Sequence, residues 1–345
     1  MPEHSLSFLS LGSVVLDEIR IPNQKPLKDV LGGSGAYATL GARLFLLPPL
    51  SHSLGWMLHI GNDFPRSIRN SLESWGTTLV IDRESDKPST RGLLEYRDIT
   101  FGPKDFRYIT PVLAIQESRL KGTSLLTAKT YHYLDSPQNI KRRVSTLLSL
   151  RNETDSLERP LIIWEPAPLS IKPENLQACL NAAHEVDVFS PNHLELAGLF
   201  GESPSATLDK EKIESFMQVF LNRGVGPGEK GIVLIRAGEH GCLVGARNIA
   251  PTWLPPFYNT RPEGKQSARV VDPTGAGNAF LGAWAVGYLG TGDAVKAACY
   301  GAVGASFALE QVGMPEKRDE GDIELWNGVD VLSRLHEYQE STGFV

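Results

Sequence analysis

The sequence predicts an α/β fold: a doubly wound, mostly parallel sheet with helices on both faces and a small β-lid. Three observations predict it. The short apolar runs Leu161 to Trp164, Val186 to Phe189 and Gly231 to Ile235, bounded by turn residues, suit parallel strands covered on both faces. Helical stretches lie between such runs, giving the strand–helix alternation of a doubly wound sheet. Two polar segments, Asp17 to Val30 and Thr90 to Ile109, break that rhythm with alternating β-branched and aromatic residues, the pattern of hairpins.

In chain order, Ser7 to Val15 reads as a buried strand and Gly35 to Leu47 as a helix rich in Ala and Leu. Leu54 to Ile60 is strand-like, and Phe64 to Trp75 is helical with Ile68, Leu72 and Trp75 on one face. The polar segments are expected to pair as a lid built from about 17-33 and 88-112 of a single domain, 1-345. Stretches rich in Gly, Pro or charge, Arg151 to Arg159, Gly201 to Lys212, Asn222 to Lys230 and Tyr258 to Ser267, are expected surface loops. The acidic stretch Glu316 to Glu324 reads as a solvated loop before the last helix.

Composition excludes several classes. A net charge of −6 with both signs interspersed and no basic stripe gives no reason to expect nucleic acid as a partner. No apolar run approaches a membrane span, and Met1-Pro2-Glu3-His4 does not begin a signal peptide, so a soluble, cytoplasmic protein is expected. Cys179, Cys242 and Cys299 are odd in number, far apart and without metal-ligand spacing, as buried reduced thiols would be.

The segment with most chemistry is Val270-Val271-Asp272-Pro273-Thr274-Gly275-Ala276-Gly277-Asn278, which opens a helix through Phe280, Trp284 and Tyr288. Glycines let main-chain N–H groups approach a ligand, and the helix start adds unsatisfied amides and a positive dipole end, a site for phosphate or another anion. A tight turn that only lets the helix pack on the sheet would use the same residues. The spacing matches neither the Walker A motif nor G-x-G-x-x-G.

Asp272-x-Thr274-Gly275-Ala276-Gly277 followed by a polar residue resembles the second signature of the ribokinase-like (PfkB) carbohydrate kinases. In that family the Gly-Ala-Gly backbone forms an anion hole, and the next residue, an aspartate, takes the proton from the substrate hydroxyl. Here Asn278 stands in its place, and a carboxamide has no useful basicity. Other segments match in family order. Gly12 to Asp17 resembles the first strand, whose aspartate binds sugar hydroxyls. Gly32-Gly33-Ser34-Gly35-Ala36-Tyr37 resembles the first glycine signature, with Tyr37 where many sugar kinases carry asparagine. Gly61-Asn62-Asp63-Phe64 matches a family loop, although Asp63 also makes a natural helix N-cap. Asn192-His193-Leu194-Glu195 resembles the N-x-x-E element that holds magnesium and phosphates, and it also reads as a capping box with His193 exposed. Gly231 to Cys242 resembles the strand–turn–strand bordering the nucleotide, with Gly238 and Gly241 suited to φ > 0. Lys296 to Gln311 resembles the small-residue helix that closes the nucleotide pocket. The overall flavour is similar to a fungal subgroup related to the maintenance-of-killer proteins.

The resemblance implies an ATP-dependent kinase of a sugar, nucleoside or similar small molecule. Its sites would be Gly275, Ala276, Gly277 and Asn278 for phosphoryl transfer and Asp17, Gly32, Gly33 and Tyr37 for the acceptor. Asn192, Glu195, Gly238, Gly241 and Thr274 would serve ATP or ADP, Glu195 and Asp272 would serve Mg2+, and a monovalent cation would lie near Asp272. Asn278 opens a second reading, a catalytically inactive nucleotide- or metabolite-binding relative. Lids of this type can also pair as sheets in a homodimer.

Overall fold

A computed structural model describes residues 5–98, 104–154, 158–203, 207–258 and 267–344. Parts of the expected loops Arg151 to Arg159, Gly201 to Lys212 and Tyr258 to Ser267 lie outside the described residues, as do the tip of the second lid hairpin and Met1 to His4. The first half of the chain contributes β1 (Leu9–Ser10), β2 (Val15–Arg20), β3 (Leu27–Gly32), α1 (Ser34–Phe45), β4 (Gly55–Ile60), α2 (Arg66–Glu73), β5 (Thr78–Arg83), β6 (Arg91–Tyr96), β7 (Lys104–Tyr108), β8 (Thr130–Asp135) and α3 (Pro137–Asn152). The second half contributes β9 (Leu161–Pro166), α4 (Leu176–Ala183), β10 (Val188–Phe189), α5 (His193–Leu199), α6 (Lys210–Arg223), β11 (Ile232–Arg236), β12 (Cys242–Ala246) and β13 (Ile249–Leu254). The chain finishes with α7 (Ala276–Thr291), α8 (Ala294–Leu309), β14 (Lys317–Glu320), β15 (Ile323–Trp326), β16 (Val329–Asp330) and α9 (Val331–Thr342).

The central sheet has the order β1-β8-β9-β10-β11-β12-β13, parallel as far as β11 and antiparallel after it. The parallel pair β4–β5 joins it through one bridge, Phe8 to Leu54. Helices α1, α7 and α8 cover one face and α3, α4 and α6 the other, so the interior strands are buried on both sides. This is why they read as unbroken apolar runs.

The lid is a separate sheet, β3-β2-β6-β7. Each expected hairpin forms, β2 with β3 and β6 with β7, and the two join through a parallel β2–β6 pairing. Val15 opens β2, so the expected strand from Ser7 to Val15 is divided: only Leu9 and Ser10 pair in the central sheet. The chain turns at Gly12, where a Cβ would stand 2.7 Å from the Gly35 amide nitrogen, and crosses from core to lid.

Two other expectations are corrected. Asp63 does not cap α2, whose N-cap is Pro65; it accepts instead from the Ser89 amide at 2.7 Å and from Arg91 Nε at 3.0 Å, anchoring the start of β6. The stretch Glu316 to Glu324 is no solvated loop. It forms the β14–β15 hairpin, and Glu324 is buried in a two-pronged pair with Arg43 at 2.7 and 2.5 Å. A fork-shaped guanidinium buried under the hairpin supplies the partner that an acidic sequence run does not reveal.

Candidate active site

The glycine turn expected from the sequence forms at the start of α7. Gly275 is its N-cap in the left-handed region, φ 78° and ψ −10°, and a Cβ there would come within 2.1 Å of the Tyr37 ring. A Cβ on Gly277 would stand 2.4 Å from Arg236 Nη1. Packing from beneath therefore favours both glycines; the Ala276 amide donates to the Pro273 carbonyl at 3.3 Å, which leaves the Gly277 and Asn278 amides as the first-turn donors of the sixteen-residue helix. The helix start borders a cavity of about 350 Å³. Ala276, Gly277 and Phe280 form one wall, Ala302, Ala305 and Leu309 of α8 another, and Gly238, Gly241 and Cys242 with Pro255 to Tyr258 the rest. Gly238 and Gly241 have φ of 58° and 87° in the turn between β11 and β12, as their sequence context predicts. The cysteines Cys179, Cys242 and Cys299 are free and buried.

Asn192 and Glu195 complete a capping box at α5: the Asn192 amide donates to Glu195 Oε2 at 2.7 Å and the Glu195 amide to Asn192 Oδ1 at 2.8 Å. Burial pushes Glu195 up to about 6; Arg236 opposes that shift and Glu165 adds to it. His193 is not exposed as expected. It lines the cavity with its ring edge-on to His240 at 6.0 Å, because the α5 N-terminus points into the pocket.

Asp17, Gly32, Tyr37, Asp272 and Thr274 gather on the other side of the turn, under the lid. Asp17 is 5% exposed and its Oδ1 has no partner among the described residues. Gly32 and Gly92 flank it so closely that a Cβ on either would stand 2.2 or 2.3 Å from its oxygens. Burial raises Asp17 to about 7, with Lys104 opposing and Asp272 adding. Gly33 caps α1 with φ 93°. Tyr108 lies in register with Gly92 and Asp17, hence on the same lid face, and stacks edge-on with Phe106. Both rings are about half exposed.

Asp272 is 1% exposed. Its Oδ1 accepts from the Tyr96 hydroxyl at 2.8 Å and from the Thr274 amide and hydroxyl at 2.9 and 2.6 Å, with Lys104 Nζ at 3.5 Å. Lys104 also donates to Thr274 Oγ1. Thr274 therefore faces the lid and is not among the residues lining the cavity, although the sequence suggested a place beside the nucleotide.

Sequence reasoning missed a buried charged network behind Asn278. Asn278 Nδ2 donates to Glu165 Oε2 at 2.5 Å, and Arg236 Nη1 lies 2.7 Å from Glu165 Oε1. His132 Nε2 is 3.4 Å from Glu165 Oε2. Glu165 and Arg236 each stand at the C-terminal end of an apolar strand, where doubly wound sheets carry their sites, and that position was a usable signal.

A small lid sheet over a glycine turn that opens a helix, beside a cavity at the strand C-termini, is the architecture of an α/β small-molecule kinase fold. The model of the pfkB family carbohydrate kinases matches residues 15–319, and the chain belongs to this family. It is 35% identical over 348 residues to the uncharacterised protein C16C9.01c of Schizosaccharomyces pombe, covering 98% of this chain and 94% of that one. It is 27% identical over 344 residues to protein MAK32 of Saccharomyces cerevisiae, covering 96% and 92%. Among solved structures, ribokinase from Giardia lamblia aligns with a TM-score of 0.70 at 16% identity, covering 97% of this chain and 99% of that one. A putative ribokinase II from E. coli, in complex with ATP and Mg2+, aligns at 0.65 and 17% identity with the same coverage. The ribokinase-like fold and the kinship with the maintenance-of-killer protein agree with the sequence resemblance.

Proposed function

We propose that the chain is a cytoplasmic ATP-dependent phosphotransferase acting on a hydroxyl of a sugar, nucleoside or related small molecule, slowed by Asn278. The observation that carries this reading is the first turn of α7 opening on a cavity of about 350 Å³ while Asp17, with an unpartnered oxygen, stands across the same loop.

The cavity fits a nucleotide. The walls from α8 and from Pro255 to Phe257 are apolar enough for a base, and the helix start at Ala276 and Gly277 borders the cavity where a phosphate would sit, with Gly275 and Gly277 letting the main chain pack over Tyr37 and Arg236. Asn192, Gly238 and Gly241 border it. Asp17 would accept acceptor hydroxyls beside Gly32, Gly33 and Tyr37, and Phe106 with Tyr108 would offer flat faces to a ring-bearing acceptor. Glu195 suits Mg2+, which needs few protein ligands when phosphates supply the rest and would neutralise charge on the phosphates when bound. Asp272 does not suit a metal or a monovalent cation: its hydrogen bonds and the Lys104 ammonium already provide the local donors and positive charge. Main-chain amides and exclusion of water by the lid are this chain's own contributions to transfer. Losing a general base costs about 10²- to 10⁴-fold, so orientation alone leaves a slow enzyme. Pairing of two chains through the lid edge at β7 belongs to the same reading.

A second reading, a nucleotide-binding protein without turnover, is favoured by one observation: the Asn278 amide nitrogen is committed to Glu165. Titration calorimetry with ADP and a non-hydrolysable ATP analogue tests the nucleotide site common to both. Binding is expected for the native chain and at least a tenfold loss for Ala305→Trp, whose ring would fill the cavity. Equal affinity in the two would remove the nucleotide from this cavity. Phosphate transfer by the native chain, measured against the same acceptors without enzyme, then separates the two readings.

A further inference from the structure

The network behind Asn278 crosses four strands. Glu165 on β9 is 5% exposed and fully buried His132 on β8 turns its Nδ1 to Ser10 Oγ of β1 at 2.9 Å. Arg236 on β11 donates from Nη2 to the Ser190 carbonyl at 2.9 Å and lies 3.7 Å from Glu195 of α5. Burial works against a charge on Glu165, yet Arg236, and after it His132, outweigh burial and hold it below the usual carboxylate range. An ionised carboxylate only accepts hydrogen bonds, so Asn278 must give it the amide nitrogen and leave Oδ1 for other partners.

We infer that Glu165 is the positioning residue for position 278: it fixes both the orientation of that side chain and the charge it can carry, and it selects a carboxamide there. The consequence for rate rests on the phosphotransferase reading; the coupling of the two side chains does not. Asp in place of Asn278 would set two carboxylates within 2.5 Å of each other beside one guanidinium. Like charges this close do not both ionise, so the pair would keep a shared proton and become a base only at higher pH. Restoring a base to this site therefore takes two changes, Asn278→Asp with Glu165→Gln. The double variant still leaves one carboxylate near Arg236, and His132, Arg236 and Glu195, the other titratable groups facing the pair, are the same in both variants.

The test compares Asn278→Asp with Asn278→Asp/Glu165→Gln by thermal unfolding from pH 5 to 9 and by phosphate transfer from ATP to a panel of sugars and nucleosides. A carboxyl pair whose folded form holds a proton that the unfolded chain releases above about pH 4 loses stability as pH rises. The single variant is expected to fall progressively behind the double one between pH 5 and 8. Failure to fold at neutral pH with recovery at pH 5 would be the same result in a stronger form. Transfer by the double variant should exceed the native rate by about 10²- to 10⁴-fold. Its acid limb should lie in the ordinary carboxylate range, with that of the single variant displaced upward by a unit or more. Superimposable stability curves would overturn the role of Glu165 whatever the rates. Curves that separate while no variant transfers phosphate would leave Glu165 in its role and defeat the phosphotransferase reading instead.

Discussion

Replacing Arg236 with Met is expected to destabilise the chain by about 3–5 kcal/mol at pH 8, the cost of leaving a buried carboxylate without its partner. Glu165 would keep only the Asn278 amide and His132, and Glu195, already pushed up to about 6, would lose the nearby positive charge that opposes burial. Without Arg236 both folded-state pKa values rise. A carboxyl group whose folded pKa lies above its unfolded value contributes most at low pH and loses that contribution as pH climbs through the interval. The deficit should therefore shrink markedly at pH 5, as chemical denaturation at the two pH values would show. A pH-independent deficit would mean that Arg236 acts through packing alone. Changing Glu165 to Leu in the same chain should recover part of the loss, since apolar replacement of both partners in a buried pair is often tolerated.

Asp17→Asn should have two separable effects. Burial raises Asp17 to about 7, so the folded protein binds a proton that the unfolded chain has released above about pH 4. Native stability therefore falls with rising pH from about 4 to 7, by roughly 4 kcal/mol if a three-unit shift is fully expressed. Asparagine cannot ionise and avoids that fall. The variant is expected to be more stable than the native chain by about 2–4 kcal/mol at pH 8, with little difference at pH 4, after allowing for the lost attraction to Lys104. Acceptor affinity should drop at least tenfold while ADP affinity is unchanged, because Asp17 lies on the lid side of the turn. Calorimetry with each ligand checks this, and equal loss of both would remove Asp17 from the acceptor site. A native chain whose stability is flat from pH 5 to 8 would contradict the burial of a charged Asp17.

Most of the architecture could be read without coordinates, because its signals are local. Apolar runs such as Leu161 to Trp164 mark strands buried on both faces, and Gly275 with Gly277 ahead of an apolar helix marks a turn that exposes main-chain amides. The two lid hairpins were legible from alternation alone. Where the reading failed, a distant residue had intervened. Glu324 belongs to an acidic run that reads as solvated, but Arg43, 281 positions earlier, buries it. Asp63 has the look of a helix cap, but the start of β6 claims it. Thr274 sits in a motif that suggests nucleotide contact, and Tyr96 and Lys104 of the lid draw it to the other side.

Residue spacing alone was enough for most of the strands and helices, for the lid and for a glycine turn followed by asparagine rather than aspartate, since each is a pattern within a few residues. Which charges surround that asparagine follows from the folding of distant segments onto one another. Strand order brings His132 of β8 and Glu165 of β9 together with Arg236, which reaches across β10 from the end of β11, and α7 carries Asn278 to Glu165 across 113 positions of chain. No periodicity encodes such a meeting, because it depends on how the sheet is wound, and it is this meeting that sets the charge at the centre of the site.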